Sequence, residues 1–331
     1  MSVISVSRRV LMASLIATPA FARPRHHAHR AARPAGRKVS VTVAIDRQGR
    51  ATPQWISLIR DRIGADELAG VRLNARALSA DDDQWIKAIQ AEAPAWIKTA
   101  DQLDVPFRQG APLAAIAVVI GGGGGDDAFG VAPGTIGFDL SALGNAYGAS
   151  DPTGRPDLVG RLLSREYTRL RLNTYLAGVG WTPEWAAKSP VLTVLRRMYV
   201  QGLSTLRGIE GDPRWVAADG SPSPEAKAAA AELEPIMVER LKALWADPSP
   251  RKADVLLRDM SVGPLSLRWG VLPMALWLAA DTAFEPGRVA AWIEANPDGL
   301  LRLAAARADR KYQRAFANLQ AAVPDKVAAF R

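Results

Sequence analysis

Residues Asp157 to Leu176, DLVGRLLSREYTRLRLNTYL, decide how the rest of the chain is read. At about 100° per residue, Val159, Leu162, Leu163, Leu170 and Ala177 fall on one face, which predicts an amphipathic helix. Glu166 sits near the middle of that face. A carboxylate in an apolar stripe loses water on folding and needs a charged or hydrogen-bonded partner. Arg165 and Arg169 flank it, and Arg169, three residues on, is placed to pair with it. The expectation is a buried Glu166 anion held by Arg169, with Arg165 reaching a second acceptor such as Gln201 or a carboxylate near Asp126.

The spacing carries more than an ion pair. Zinc peptidases bear H-E-x-x-H on a helix, two histidines holding the metal and the glutamate acting as general base. Here the register reads R-E-Y-T-R, with Arg165 and Arg169 at the ligand positions and Glu166 at that of the base. Downstream, MYVQGLSTLRG resembles the E-G-L-A segment that supplies the third ligand in glutamate-type zinc metallopeptidases, and Gln201 stands at that position. Upstream, LAAIAVVIGGGGGDDAFGVAPGTIGFDL resembles the strand, glycine-bearing loop and edge strand that precede the zinc helix there. The resemblance spans Leu113 to Gly208. It implies a peptidase-like cleft in which all three metal ligands are replaced, with Arg165, Glu166, Arg169 and Gln201 as binding residues and no metal or other cofactor. It also implies that the Thr135 to Leu140 strand is the edge to which extended substrate would add.

Histidine and cysteine usage limits the chemistry independently. The three histidines are His26, His27 and His29, and cysteine is absent. From Val39 onward, a Cys/His zinc site, a Ser–His or Cys–His catalytic pair and a disulfide framework are therefore all excluded. The three tail histidines lack a folded surrounding that would make them a defined metal site.

Met1 to Ala22 reads as an export signal of the twin-arginine type. Arg8-Arg9 is followed by a short apolar run and an A-x-A site at Ala20 to Ala22, so a periplasmic or secreted location is expected. Arg23 to Lys38, RPRHHAHRAARPAGRK, reads as a basic disordered tail, either a solvated linker or a contact to an anionic envelope surface. The whole chain has 42 Lys+Arg against 33 Asp+Glu, but Met1 to Lys38 holds eight basic and no acidic residues, which leaves 34 against 33. The basic balance belongs to the signal and tail, and a nucleic-acid-binding body has little support. Gly270 to Ala280 is apolar but contains Pro273 and reads as a buried core segment, so no transmembrane span is expected.

The body, residues 39–331, shows no repeat and no composition shift that would cut it into independent domains. Its 39–150 part contains the strands: Ser40 to Ile45, Ala114 to Ile120 and Thr135 to Leu140. Helices are expected at Trp55 to Ile63 and Ala80 to Ala100, the latter broken by Pro94. Gly121 to Gly125 lacks the lysine or the fixed spacing of a phosphate loop, and it reads as a mobile connection. The 151–331 part is helical: the central helix, Val191 to Leu206 with Gln201 at the margin of its apolar face, Pro224 to Ala246, Ala253 to Met260, Leu265 to Ala280, Pro286 to Ala295 and Leu300 to Ala322. The fold class is α+β, a small mixed sheet packed on helices with a helical C-terminal part and a metallopeptidase-like cleft.

Three functions compete. The first is an exported non-catalytic relative of a zinc peptidase, binding a peptide or anionic ligand between guanidinium groups. The second is a helical envelope interaction protein without peptidase ancestry. The third is a hydrolase built on Asp126, Asp127 and Glu166.

Overall fold

The computed structural model describes residues 36–63, 73, 76–148, 154–260, 263–297 and 299–324. The export signal, its cleavage site and residues 23–35 of the basic tail lie outside the described residues. The tail boundary moves earlier: Lys38 opens the first strand. Arg37 is buried, donating to the Leu113 carbonyl at 3.1 Å and pairing with Asp104 and Asp101.

Four strands, β1 (Lys38–Val43), β2 (Ala115–Gly121), β3 (Ala128–Val131) and β4 (Thr135–Asp139), form one mixed sheet in the order β1-β2-β4-β3. β1, β2 and β4 run parallel, and β3 folds back antiparallel on β4. The two-residue period of β2 sends Ile116, Val118 and Ile120 to one face and Val119 to the other. The first face packs on helices α2 (Ala80–Ala95), α3 (Ile97–Leu103) and the central helix. The second is covered by Trp55, Leu58 and Ile59 of α1 (Pro53–Ile63). The expected edge strand is thus corrected. Thr135–Asp139 is interior, flanked on both sides, and the edges are β1 and β3, the latter a strand the sequence did not announce. Leu140 already begins the next helix, α4 (Leu140–Tyr147), with Asp139 as its cap.

The helical break near Pro94 is real: α2 stops at Ala95 and α3 starts at Ile97. The central helix is α5 (Arg155–Gly178), with Pro156 in its first turn. Its expected one-sided stripe is not what folds. Leu162 to Thr168 are buried consecutively, all the way round, while Ala177 is exposed. The cause is position: Val159 to Leu170 pack with the sheet and Leu172 and Leu176 with the C-terminal helices, so α5 is an axis shared by both cores.

After a short α6 (Pro183–Ala186) come α7 (Pro190–Ile209), α8 (Pro224–Ala246) and α9 (Pro250–Asp259). Each of these last three opens with a Ser-Pro pair. Ser189, Ser223 and Ser249 accept from the amides of Leu192, Ala226 and Lys252, and the proline takes the first position, where no amide is needed. A 3-10 turn (Leu265–Leu267) leads into α10 (Leu272–Thr282), the buried segment expected around Pro273. Then follow α11 (Pro286–Glu294), α12 (Gly299–Arg307) and α13 (Arg310–Ala321). The expected single helix Leu300 to Ala322 is two, because the Asp309 side chain caps a new start by accepting from the Lys311 amide. No helix among the described residues is long and apolar enough to cross a membrane.

Candidate functional site

The site forms where β3, α5 and α7 meet. Backbones approach closely there because two glycines leave room. A Cβ on Gly130 of β3 would stand 3.0 Å from the Leu170 Cγ, and one on Gly208 of α7 would stand 3.3 Å from the Arg165 Cβ. Glu166, fully buried, lies at this junction. Its Oε1 accepts from the Arg165 Nε at 2.6 Å. Its Oε2 accepts from the Gly130 amide at 2.9 Å and pairs with Arg169 at 3.0 Å. Both oxygens are therefore engaged by cations or by backbone.

Of the two second acceptors expected for Arg165, it reaches the loop carboxylate, and the other, Gln201, goes to Arg169. Arg169 does pair with Glu166, and it is also Arg169, not Arg165, that donates to the Gln201 side chain at 3.0 Å. Arg165 turns to Asp127 at 2.7 Å and to the Ala128 carbonyl at 3.0 Å. Gln201, expected at a helix margin, is buried, since α7 packs on both α5 and α10. The four residues Arg165, Glu166, Arg169 and Gln201 thus form one connected group, with Asp127 as a fifth member.

Asp127 is paired twice over. Besides Arg165 it accepts from the Tyr147 hydroxyl at 2.6 Å and from the Ala128 amide at 2.7 Å. Burial pushes its carboxyl up, but the Arg165 charge and these hydrogen bonds outweigh burial and hold it well below the usual carboxylate range. Burial likewise opposes charge on Arg165, yet Asp127 and Glu166 keep it firmly protonated. Tyr147 is raised by its own burial and by the Asp127 charge, so it remains a donor.

Asp126, half exposed, pairs with Arg62 of α1, which also donates to the Gly124 carbonyl at 2.7 Å and lies over the Phe129 ring at 4.4 Å. The glycine run before it is pinned rather than a free connection. The Gly123 and Gly125 amides donate to the Asp139 carboxylate at 3.1 and 2.8 Å, so the amides that could hold phosphate already hold an internal anion.

Two further guanidinium groups reach this region without any sequence signal. Arg197 lies one helical turn before Gln201 on α7, and Arg268 follows the 3-10 turn. Burial, then Arg169, brings Arg197 down to about 10, with Asp126, Glu166 and Arg62 also acting on it. Burial, then Arg165, lowers Arg268, with Asp127, Asp126 and Tyr147 acting on it. Neither makes an ion pair among the described residues; Arg268 donates only to the Gly263 carbonyl, at 2.7 Å. Arg197 itself is exposed to solvent.

The arrangement does not fit a divalent cation. Around Glu166 the chain places two guanidinium cations and, next to them, the Gln201 amide, and a positive ion would meet repulsion. Among the described residues, no three His, Cys, Asp or Glu side chains come together as a metal site. Of the three carboxylates here, Glu166 and Asp127 are engaged at both oxygens and half-exposed Asp126 at one, by Arg62. No family model, curated protein or solved structure matches the chain.

Proposed function

We propose that this protein is a non-catalytic binding protein, built on a degenerate zinc-peptidase cleft and exported to the periplasm or beyond, that takes an anionic ligand between guanidinium groups. The observation that carries the reading is the exchange of chemistry at three converging positions. Arg165 and Arg169 both grip Glu166, and Arg169 meets Gln201, so the places of three metal ligands are joined by hydrogen bonds instead. The order of strand, glycine run, hairpin, Glu166 helix and Gln201 helix supports the ancestry. Charge supports the ligand class: guanidinium groups hold carboxylate or phosphate through paired donors. Addition of an extended peptide at β3 is disfavoured, because the protein's own side chains hold the Ala128 and Gly130 amides and the Ala128 carbonyl on its outer edge.

Two measurements on the full chain test the reading. Elemental analysis of protein stripped of loosely bound metal at the tail histidines should find no stoichiometric zinc, and peptide hydrolysis should be absent. One tightly held zinc with chelator-sensitive hydrolysis would end it. Arg165→His, Arg169→His and Gln201→Glu combined should create a site whose melting temperature rises on adding zinc. No zinc response in that folded variant removes the ancestry. Export is tested by Arg8→Lys with Arg9→Lys, which should leave the precursor inside the cell; unchanged export would remove the twin-arginine assignment.

A further inference from the structure

The two edges of the sheet are finished differently. On β3 the outward groups of Ala128 and Gly130 are held by Asp127, Arg165 and Glu166. On β1 they are bare. The Lys38 and Ala44 amides donate inward to the Ala114 and Ile120 carbonyls, and the unbroken parallel register with β2 turns the Ser40 and Thr42 amides inward too. The amides and carbonyls of Val39, Val41 and Val43 therefore point away from the sheet, and among the described residues nothing hydrogen-bonds them. Both ends of this stretch are closed: Arg37 is buried against Asp104 and the Leu113 carbonyl, and Ile45 pairs with Ala51. We propose that this edge is a dimerisation surface, on which β1 of a second copy of the chain adds antiparallel about a two-fold axis at Val41.

The strand is complementary to itself in one register. Antiparallel residues that face each other with both amide and carbonyl exchange two hydrogen bonds, so Val41 pairs with the partner's Val41 and Val39 with the partner's Val43. A shift by two residues sets Val43 against buried Arg37 or Val39 against engaged Ile45, and that pairing is lost. Pairing about Val41 uses all three outward residues. The side chains agree with it. Val39, Val41 and Val43 are half-buried on the face that carries α2, where β-branched residues then meet β-branched residues across the junction. Ser40 and Thr42 are exposed on the other face and fall opposite each other, hydroxyl to hydroxyl. Lys38, the one charge of the strand, falls opposite Ala44, so no like charges meet. No proline or bulge guards this edge as edges are commonly guarded. A six-residue strand on each side is a small contact, so the dimer is weak, dissociating at about micromolar concentration or above.

Sedimentation equilibrium of the full chain, from about 1 µM to about 500 µM, tests this together with hydrogen exchange. A reversible monomer–dimer equilibrium should appear, and the Val39, Val41 and Val43 amides should exchange more slowly as concentration rises. Ser40→Lys with Thr42→Lys sets lysine against lysine on an exposed face, so it should weaken the dimer by about tenfold or more and leave the melting temperature of the monomer unchanged. Ser40→Glu with Thr42→Glu should act alike. Mixing the two variants should restore association as a heterodimer, a rescue that damage to the monomer could not produce. Val41→Pro removes an outward amide and no inward one, and it should also give monomer. A parent chain that stays monomeric throughout overturns the proposal. Fast exchange of the three amides at every concentration would then mean that the edge stays bare, and slow exchange at every concentration that another part of the chain covers it. A dimer that both charged variants still form overturns the proposal too, because that dimer uses another surface. So does a dimer that the charged variants lose and their mixture does not regain.

Discussion

Glu166 is a wholly enclosed anion whose partners are two arginines and one backbone amide, and removing it alone strands those cations. Glu166→Leu should cost about 3 kcal/mol or more in a chemical-denaturation measurement, because buried charge then lacks its counterion. Replacing Arg165, Glu166 and Arg169 together by Met, Leu and Met should cost much less, since no charge is left unpaired. Equal losses for the single and triple variants would show that stranded positive charge is not what the single substitution costs. Asp127 gives a second test through pH. Its folded carboxyl is held below the ordinary value of 3.8, so its contribution is fully present above that value and is lost as pH falls through the folded one. Melting temperature followed from about pH 6 to about pH 3 should fall less steeply for Asp127→Asn than for the parent chain, from a lower plateau near neutrality. Parallel curves would mean that Asp127 does not titrate with folding. At this scale the sequence was informative where partners are close. The Glu166–Arg169 pair follows from a three-residue spacing on one helix, whereas Asp127, Arg197 and Arg268 come from other elements and leave no local pattern.

β3 shows how a four-residue element can be fixed from outside itself. The Asp139 amide donates to the Asp127 carbonyl, so paired positions recur at Phe129 and Val131, and Ala128 and Gly130 turn outward. An exposed edge would leave those groups to water or to another strand. Here the Ala128 amide is held by Asp127, its carbonyl by Arg165, and the Gly130 amide by Glu166. Native-state hydrogen exchange should therefore find the Gly130 amide protected like that of Phe129, without the fast–slow alternation of a bare edge. In Glu166→Leu the Gly130 amide should exchange about tenfold faster or more, with Phe129 changing only as much as global stability does. A fast Gly130 amide in the parent chain would contradict the covered edge. The sequence Ala-Phe-Gly-Val is too short for alternation and follows a glycine run, so nothing local marks it as a strand. The helices opening on Ser189-Pro190, Ser223-Pro224 and Ser249-Pro250 were legible because their start signals are local. α5 was legible as a helix but not as a buried one. Its many charges suggested a solvated face, and only the distant partners Asp104, Asp127 and Gln201 let Arg171, Arg165 and Arg169 go inside.

At the scale of the molecule, α5 joins two hydrophobic cores that the chain could otherwise have kept apart. One lies between the sheet and α2, α3 and the first half of α5; the other gathers the C-terminal helices around α7 and α10 and takes in Leu172 and Leu176. A rigid helix running through both cannot lose its packing on one side without exposing the apolar surface it presents to the other. The charge networks tie the same axis at further points: Arg171 to Asp104 at 2.8 Å, Tyr167 to Asp104 at 2.8 Å, and Arg155 against the Trp85 ring at 4.7 Å. Unfolding should therefore be a single cooperative transition despite the length of the chain. The tryptophans report from both sides, Trp85 and Trp96 in the sheet core and Trp245, Trp269 and Trp277 in the helical one. Denaturation followed by their fluorescence should coincide with that followed by far-ultraviolet dichroism. Val159→Ala and Leu172→Ala empty fully buried sites in the two different cores. Each should move that one transition as a whole, by about 1 kcal/mol for the valine and about 2–5 kcal/mol for the leucine. If either variant instead splits the curve in two, with one core melting while the other keeps its midpoint, then α5 does not couple them.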